Sequence, residues 1–445
     1  MSLTVSKSTD YKINELAIVS KNGKIDISKI FIELSIFDSI YMPVMSGNVL
    51  IKDSVGMASK LLFDGSEVIL IDIQKDEEGR IGNLKKAFRI YKQTDRSADG
   101  ESSETYILNF VSQELLFSDQ QRVNQSYRKT YTEMVERIML DYLLIPQTNL
   151  GGIYEPSSGI RDTIIPNLRP IEAIEWVMRK AVNNENSPSY VFFQNLIGYN
   201  FASLSVFLEK PFVLDVKFET KNKNEEGAAF EELSTARSFE VISEYDNIAR
   251  TRKGVDAGTF IGFDLVTKNI SRRPLSFDDH YGNMKHGNKT PNFSATKNKD
   301  GLLNSAMFDS RIVLDTFSTP RALSNYVREH DPESVVYNSR TEDYAFQRKA
   351  IFENLKMKRI KLVMPGNFTL SSGFNVNVNA PTFGEKAKGD ENKNPLLSGK
   401  YLITASRHIL GPDKHESIIE CSSTSSDLDF VQQETEEQSE TLRVY

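Results

Sequence analysis

The stretches Gly65-Ser66-Glu67-Val68-Ile69-Leu70-Ile71 and Gly373-Phe374-Asn375-Val376-Asn377-Val378-Asn379 carry most of the information about the fold. Each begins with a glycine, has valine three residues later and continues with the alternating pattern of a strand. They form the middle of three matches that occur in the same order in two distant parts of the chain. Three ordered matches indicate an internal repeat, although unrelated alternating strands can also resemble each other.

The other two matches flank this pair. Phe37-Asp38-Ser39-Ile40 resembles Tyr245-Asp246-Asn247-Ile248 at a strand end. The hairpin strands at Phe88–Ile90 and Tyr106–Phe110 resemble those at Tyr401–Ile403 and Ser417–Cys421. If the repeat is real, Phe37 and Tyr245 should occupy equivalent core positions, as should Gly65 and Gly373.

The predicted elements place a helical α/β unit between two β-rich parts. The period changes from two to about 3.6 at a helix capped by Thr132 and ending near Leu144, and a second helix begins at Pro170. Strands are predicted at 190–193 and 201–207, and a helix from Ser339 or Thr341 to Lys356. The fold class is therefore α+β and β-rich, with two similar antiparallel β-barrels and an inserted α/β region. The predicted domains are 1–118 for the first barrel, 119–235 for the α/β insert, 236–266 with 345–425 for the split second barrel, 267–344 for an insertion of uncertain topology, and 426–445 for a polar acidic tail.

Composition excludes several functional classes. The chain has 445 residues, a formal net charge of −7 and one cysteine. A single cysteine cannot form an internal disulfide framework, no secretory signal or membrane span is visible, and stable membrane association is not expected. The densest basic run, Lys356 to Lys361, is interpreted as a solvated face at a helix–strand junction, so a phosphate-gripping surface is not predicted.

No catalytic, metal or cofactor site is predicted. His408, His415 and Cys421 suggest a Cys/His dyad, but Cys421 is better explained as a buried apolar residue of a strand. The segment from Gly282 to Thr290 nearly matches a phosphate-binding loop, yet it lacks the preceding strand and the following helix. The acidic pairs at 225–226 and 278–279 are expected on any water-soluble surface.

With the repeat and the insert in view, the chain resembles the central baseplate hub protein of contractile-tailed bacteriophages and the hub-like half of VgrG spike proteins. The resemblance covers roughly 30–425. Besides the strand end at Phe37-Asp38 and the strands at 190–193 and 201–204, it rests on two specific motifs. These are Ile164-Ile165-Pro166-Asn167-Leu168-Arg169-Pro170, leading into the Trp176 helix, and Met364-Pro365-Gly366-Asn367-Phe368.

The resemblance implies a function without chemistry. Such hubs are homotrimers in which two tube β-barrel domains per chain form a six-part ring. That ring joins the six-fold tail tube to the three-fold central spike. The implied partners are the spike, the tail tube or tube-initiator protein and other baseplate proteins, with DNA only as cargo in the lumen. The implied location is the virion tail baseplate, assembled in the host cytoplasm. Alternatives are the hub of a type VI or other contractile injection machine and, from another class, a tail-associated cell-wall hydrolase.

Overall fold

A computed structural model describes residues 10–54, 56–57, 63–75, 82–98, 103–145, 151–218, 233–255, 257–264, 268, 270–276, 285–291, 311–317, 341–380, 394 and 396–426. Most of the predicted insertion at 267–344, the tail beyond 426 and both acidic pairs lie outside these residues. Within the described part of the chain, no helix has the length and apolar character needed to cross a membrane.

The N-terminal part consists of strands. They are β1 (Lys12–Ser20), β2 (Gly23–Asp26), β3 (Phe31–Ser39), β4 (Ser46–Asp53), β5 (Val68–Gln74), β6 (Asn83–Ala98) and β7 (Glu104–Val111). Strand β5 shows why the sequence folds this way: Ile69, Ile71 and Ile73 are buried while the residues between them are half-exposed. A period of two therefore places one face of the strand in the core.

The middle part contains short helices and strands. They are α1 (Gln113–Gln120), β8 (Ser126–Lys129), α2 (Tyr131–Asp141), β9 (Gly151–Tyr154), β10 (Arg161–Ile164), α3 (Pro170–Met178), β11 (Tyr190–Gln194), β12 (Tyr199–Ser203) and α4 (Leu204–Glu209). The predicted start of α3 at Pro170 is confirmed.

Two local predictions in this part are wrong. Helix α2 is capped by Thr130, which forms a reciprocal capping box with Glu133, whereas Thr132 lies inside the first turn and donates its hydroxyl to the Glu155 carbonyl at 2.7 Å. The strand predicted to reach residue 207 ends at Ser203, and the chain continues as helix α4.

The C-terminal part returns to strands. Its elements are β13 (Phe212–Val216), β14 (Ser238–Ser243), α5 (Asn247–Lys253), β15 (Ala257–Asp264), β16 (Ile270–Ser276), β17 (Thr290–Pro291), β18 (Ile312–Phe317), α6 (Thr341–Leu355), β19 (Lys358–Pro365), β20 (Asn375–Val378), β21 (Gly399–Gly411), β22 (Lys414–Ser423) and β23 (Ser425–Ser426).

One thirteen-stranded sheet dominates the described residues. Its order is β14-β19-β22-β21-β3-β4-β7-β6-β5-β1-β2, with β20 paired to β21 and β13 to β20. Every pairing in it is antiparallel except that of β13 with β20. Strands β15, β16 and β18 form a separate sheet, so the strand predicted at 259–263 does not belong to the large one. The predicted β-rich α+β fold class is confirmed.

The two ends of this sheet have the same strand order. We call β1–β7 the first sheet region and β13, β14 and β19–β22 the second sheet region. The first runs β3-β4-β7-β6-β5-β1, and the second runs β14-β19-β22-β21-β20-β13. With β2 set aside, both read second, third, sixth, fifth, fourth, first in chain order, but the first strand is antiparallel to its neighbour in the first region and parallel to it in the second. The other five strands have the topology that an internal repeat requires.

The strand registers of the two regions also correspond. Ile90 pairs with Phe110, and Ile403 pairs with Cys421, as the hairpin match predicts. A β-bulge follows immediately in both strands, after Ile90 and after Ile403. Gly65 and Gly373 both have positive φ, +88° and +83°, shortly before β5 and β20 begin. This left-handed backbone explains why glycine stands at both positions.

The predicted equivalence of Phe37 and Tyr245 is wrong. Phe37 pairs with Ser46 inside β3, whereas Tyr245 lies beyond the end of β14 and is 75% exposed. The counterpart of β4 is β19, and Arg359 on β19 takes the place of Ser46 on β4. Because Arg359 pairs with Ser243, the residue that corresponds to Phe37 is Ser243. The sequence match between the two strand ends is therefore offset by two residues from the structural equivalence.

Candidate functional site: the junction between the two sheet regions

The two sheet regions meet where β3 pairs with β21. The antiparallel register runs from Ala405 opposite Ser39 to Leu410 opposite Leu34. Ile36 on β3 and His408 on β21 face each other in this register, and both are buried. We call this contact the junction; it joins residues more than 300 positions apart into one continuous sheet.

Asp38 is the centre of a buried hydrogen-bond network at the junction. Its carboxylate accepts from the Ser406 hydroxyl at 2.6 Å, from the Ser372 amide at 3.0 Å and from the Ser371 hydroxyl. Burial raises the pKa of Asp38, and these hydrogen bonds oppose that rise by stabilising the charged form. A buried carboxylate with three donors is satisfied only while all three partners stay in place.

A second polar group lies next to this network. His408 Nδ1 is 3.0 Å from the Ser417 hydroxyl, and the His408 ring is 6.2 Å from the ring of His415. Phe368 packs against both rings, at 5.2 Å and 4.7 Å. Burial lowers the pKa of His408 to about 4, and burial, with the nearby Lys75 and His408, lowers the pKa of His415 well below its usual range. Both imidazoles are therefore neutral at pH 7.

The middle part of the chain contacts both sheet regions through the turn between β11 and β12. Gln194 accepts from the Met45 amide at 3.0 Å and from the Ser112 hydroxyl, both in or next to the first region. Asn195 donates to the Ser372 carbonyl at 3.0 Å in the second region. The turn therefore fixes the two regions relative to each other beside Asp38.

The rim of the junction is charged and partly exposed. Arg407 on β21 donates to Glu33 on β3 at 3.2 Å, and its guanidinium lies 5.3 Å from the centre of the Phe37 ring. Beside this rim, a groove of about 340 Å³ is lined by residues that include Phe37, Met42 and Glu420. The buried network and the exposed rim together hold the two sheet regions in contact at the junction.

The geometry of the network does not suit nucleophilic catalysis. Ser406 is 3.5 Å from His408 Nε2, but it donates its proton to Asp38 at 2.6 Å. In a catalytic triad the histidine stands between the serine and the carboxylate and removes the serine proton. Here the serine stands between them, and the histidine and the carboxylate are fully buried.

The residues that the sequence suggested as candidate sites have structural roles. Cys421 is buried opposite Ile403, five strand positions from His408, so the two do not form a dyad, and burial raises the pKa of its thiol. Asn288, from the phosphate-loop-like segment, accepts a hydrogen bond from the Lys400 amide at 2.7 Å and donates one to the Ser425 carbonyl at 3.0 Å. Residues 282–284 of that segment lie outside the described residues. Among the described residues, no group of histidine, cysteine, aspartate and glutamate side chains could hold a metal ion.

The interpretation of the basic run is wrong for one residue. Lys356 and Lys361 are exposed at the predicted helix–strand junction, but Lys358 is buried. Its ammonium donates to the Leu396 carbonyl and to Ser426 and lies 5.3 Å from the centre of the Tyr401 ring. Burial lowers its pKa to about 8.

Sequence reasoning did not find the Asp38 network. Asp38 was visible only as part of a strand-end match, and Ser371 and Ser372 lie 333 and 334 positions away. One signal was available: a serine pair directly before Gly373, in the turn that precedes the repeated strand.

Comparison with solved structures places this fold among those of phage tail proteins. The prophage MuSo2 43 kDa tail protein from Shewanella oneidensis is similar, with a TM-score of 0.50 and 8% identity over 92% of this chain and 97% of that one. A tail protein from Neisseria meningitidis gives a TM-score of 0.49 with 10% identity over 93% and 96%. A chain of the Francisella PdpA–VgrG complex gives 0.42 with 11% identity over 93% and 58%.

At these low identities the comparison with the Shewanella protein shows a shared fold and nothing beyond it. No protein-family model matches the chain, and no curated protein matches it. The resemblance noted in the sequence is thus supported at the level of the fold.

Proposed function

We propose that this chain is the structural hub of a contractile phage tail baseplate, a trimeric adaptor between the six-fold tail tube and the three-fold central spike. The observation that carries the proposal is the pair of sheet regions that share five antiparallel strands in one order and one hairpin register, joined edge to edge at the junction. A chain with two equivalent modules is the simplest object that can present six-fold symmetry from three copies.

The proposed role needs rigidity more than chemistry. The buried Asp38 network and the turn at Gln194–Asn195 hold the two sheet regions at one fixed angle. In a trimer, that angle sets the spacing of six modules around the axis. One face of the ring then meets the tube or tube-initiator protein, and the other face meets the spike and further baseplate proteins.

The proposed cargo is DNA that passes through the lumen without binding. The formal net charge of −7 suits a channel that must not hold phosphates, because basic walls would bind them and release counterions. The proposed location is the virion tail, after assembly in the host cytoplasm.

The oligomeric mass tests this proposal. Light scattering on the purified 50.4 kDa chain, alone and with its spike and tube proteins, should report three copies in the complex. A strict monomer or dimer that stays so with both partners present would sink the hub proposal.

Zymography on peptidoglycan separates this proposal from the hydrolase alternative. The account expects no clearing by the folded chain, since the buried Ser406 donates its proton to Asp38 instead of to His408. Clearing that disappears in an Asp38→Asn variant of unchanged stability would establish the enzyme instead.

A further inference from the structure

Each sheet region has one strand edge that pairs with nothing among the described strands, and the equivalent edge of the other region takes part in the junction. Strand β3 pairs with β4 on one side and with β21 on the other, whereas its counterpart β14 pairs with β19 alone among the described strands. Strand β21 receives β3 along 405–410, whereas the counterpart segment of β6, residues 92–98, pairs only with β7 among them. The open edge of β14 and the open segment of β6 therefore carry the two halves of a second junction.

Both open edges expose large side chains at or next to positions whose counterparts are buried in or beside the junction. On β3, Ile36 is buried, while Val241 and Ile242 on β14 are 37% and 38% exposed. On β21, Thr404 is buried, while its counterpart Tyr91 on β6 is 53% exposed. An apolar strand edge left unpaired is a template for pairing with another chain.

The charges on the open edges have the same polarity as those at the junction. In the junction the β3 side carries Glu33 and the β21 side carries Arg407. Strand β14 and the residue after it carry Glu240 and Glu244, and no base. The segment 92–98 of β6 carries two bases and one acid, Lys92, Arg96 and Asp95. Glu240 already pairs with Lys361, and Arg96 with Glu104, so the charge complementarity between the two edges rests mainly on Glu244 and Lys92.

We propose that β14 of one chain pairs antiparallel with residues 92–98 of β6 in a second copy of this chain, repeating the junction between subunits. The inference rests on the proposed hub function and names the contact that would build its ring. Transferring the junction register to the counterpart residues places Thr94 opposite Ser243 and Gln93 opposite Glu244. Because the two edges differ, the contact is head-to-tail and generates a ring when the rotation closes.

Engineered cysteines test this register. The native Cys421 is buried, so it does not compete. Cβ atoms of directly opposed antiparallel residues are about 4.5–5.5 Å apart, which a disulfide can bridge after a small shift. The full chain carrying Thr94→Cys is mixed with the full chain carrying Ser243→Cys under mild oxidation. On a non-reducing gel, we expect the band to shift from one chain to two, and neither variant alone should shift.

A matched control uses the other open end of the sheet. Lys24→Cys lies on the exposed strand β2, and its mixture with Ser243→Cys should remain at one chain. A chain carrying both Thr94→Cys and Ser243→Cys should give covalent species up to three chains and none larger. This ladder would count the subunits in the ring.

The outcomes separate this inference from the hub proposal. If light scattering reports trimers and the Thr94→Cys and Ser243→Cys mixture does not link, the edge pairing is wrong while the hub stands. If the Lys24→Cys control links equally well, the contact is non-specific and the inference falls. A chain that remains monomeric with spike and tube proteins contradicts both proposals.

Discussion

The same paired position is filled in opposite ways in the two sheet regions. In the first, Gly47 stands opposite the large Phe110; in the second, Ile360 stands opposite the small Cys421. A Cβ at Gly47 would lie 2.4 Å from the Phe110 ring, so the aromatic ring occupies the space that a side chain would need. The backbone frame is common to both, and the large and small residues have exchanged strands.

A position four residues further along the same strand pair explains how the second region accommodates a buried histidine pair. Ile51 stands opposite Tyr106 in the first region, and Met364 stands opposite Ser417 in the second. Because serine replaces the bulk of tyrosine, the second region has room for the ring of His408 against Ser417. The comparison teaches that one strand arrangement accommodates an apolar core in the first sheet region and a polar junction in the second.

Loss of Asp38 should have the largest effect on this comparison. Asp38→Ala leaves the Ser406 and Ser371 hydroxyls and the Ser372 amide without their acceptor. At 1–3 kcal/mol for each unsatisfied buried group, we expect a loss of roughly 3 kcal/mol or more in the free energy of unfolding. Asp72→Ala in the first region, which breaks an ion pair with the exposed Lys85, should cost under about 1 kcal/mol. Urea denaturation of both variants measures the difference; equal losses would contradict a central role for Asp38.

Exchanging the large and the small residue at the pair Ile360–Cys421 should give the next largest effect on stability. Cys421→Phe forces a ring into the space of Ile360 and should destabilise by about 1–3 kcal/mol or more. Adding Ile360→Gly restores the pairing of the first region, so the double variant should be more stable than the sum of the single losses, by about 0.5–3 kcal/mol. Strict additivity in a double-mutant cycle would show that the two regions do not share a frame.

Acid should weaken the second region more than the first. His408 keeps its neutral form in the folded chain down to a pKa of about 4, against 6.5 for the ordinary group, so folding is favoured above pH 6.5 and loses stability as the pH falls towards 4. The slope from this group is up to roughly 1.4 kcal/mol per pH unit, and His415 adds in the same direction. The raised pKa of Asp38 acts in the opposite direction.

Hydrogen exchange at pH 7 and pH 5 can locate this effect. Amides of β21 and β22 should lose protection on acidification, whereas those of β6 and β7, which contain no histidine, should keep theirs. His408→Gln should flatten the dependence of unfolding free energy on pH. An unchanged slope in that variant would remove His408 as the cause.

The rim ion pair should matter least. Arg407 and Glu33 are 39% and 43% exposed in their side chains, so water screens their attraction. Glu33→Gln should therefore change the free energy of unfolding by about 1 kcal/mol or less. A larger loss, measured in the same denaturation series and persisting in high salt, would mean that the rim contributes to the junction beyond the charge pair.

Features that depend on neighbouring residues could be predicted from the sequence, whereas features that depend on contacts between distant residues could not. The glycine before each repeated strand, the hairpin register at Phe110 and Cys421, and the helix start at Pro170 depend on local geometry. The burial of Lys358 and the Asp38 network depend on which strands become neighbours. That information lies in the pairing of β3 with β21, which alternation within either strand does not encode.

The central claim is that the two sheet regions are two copies of one module, set around a common axis by the junction. An electron cryo-microscopy map of the chain bound to its spike tests this most directly. The account predicts a three-fold particle with six barrel-like modules, in which the two modules of each chain superpose with Gly65 on Gly373 and Phe110 on Cys421. Modules with different strand connections, or chains whose two regions do not follow one ring, would contradict it.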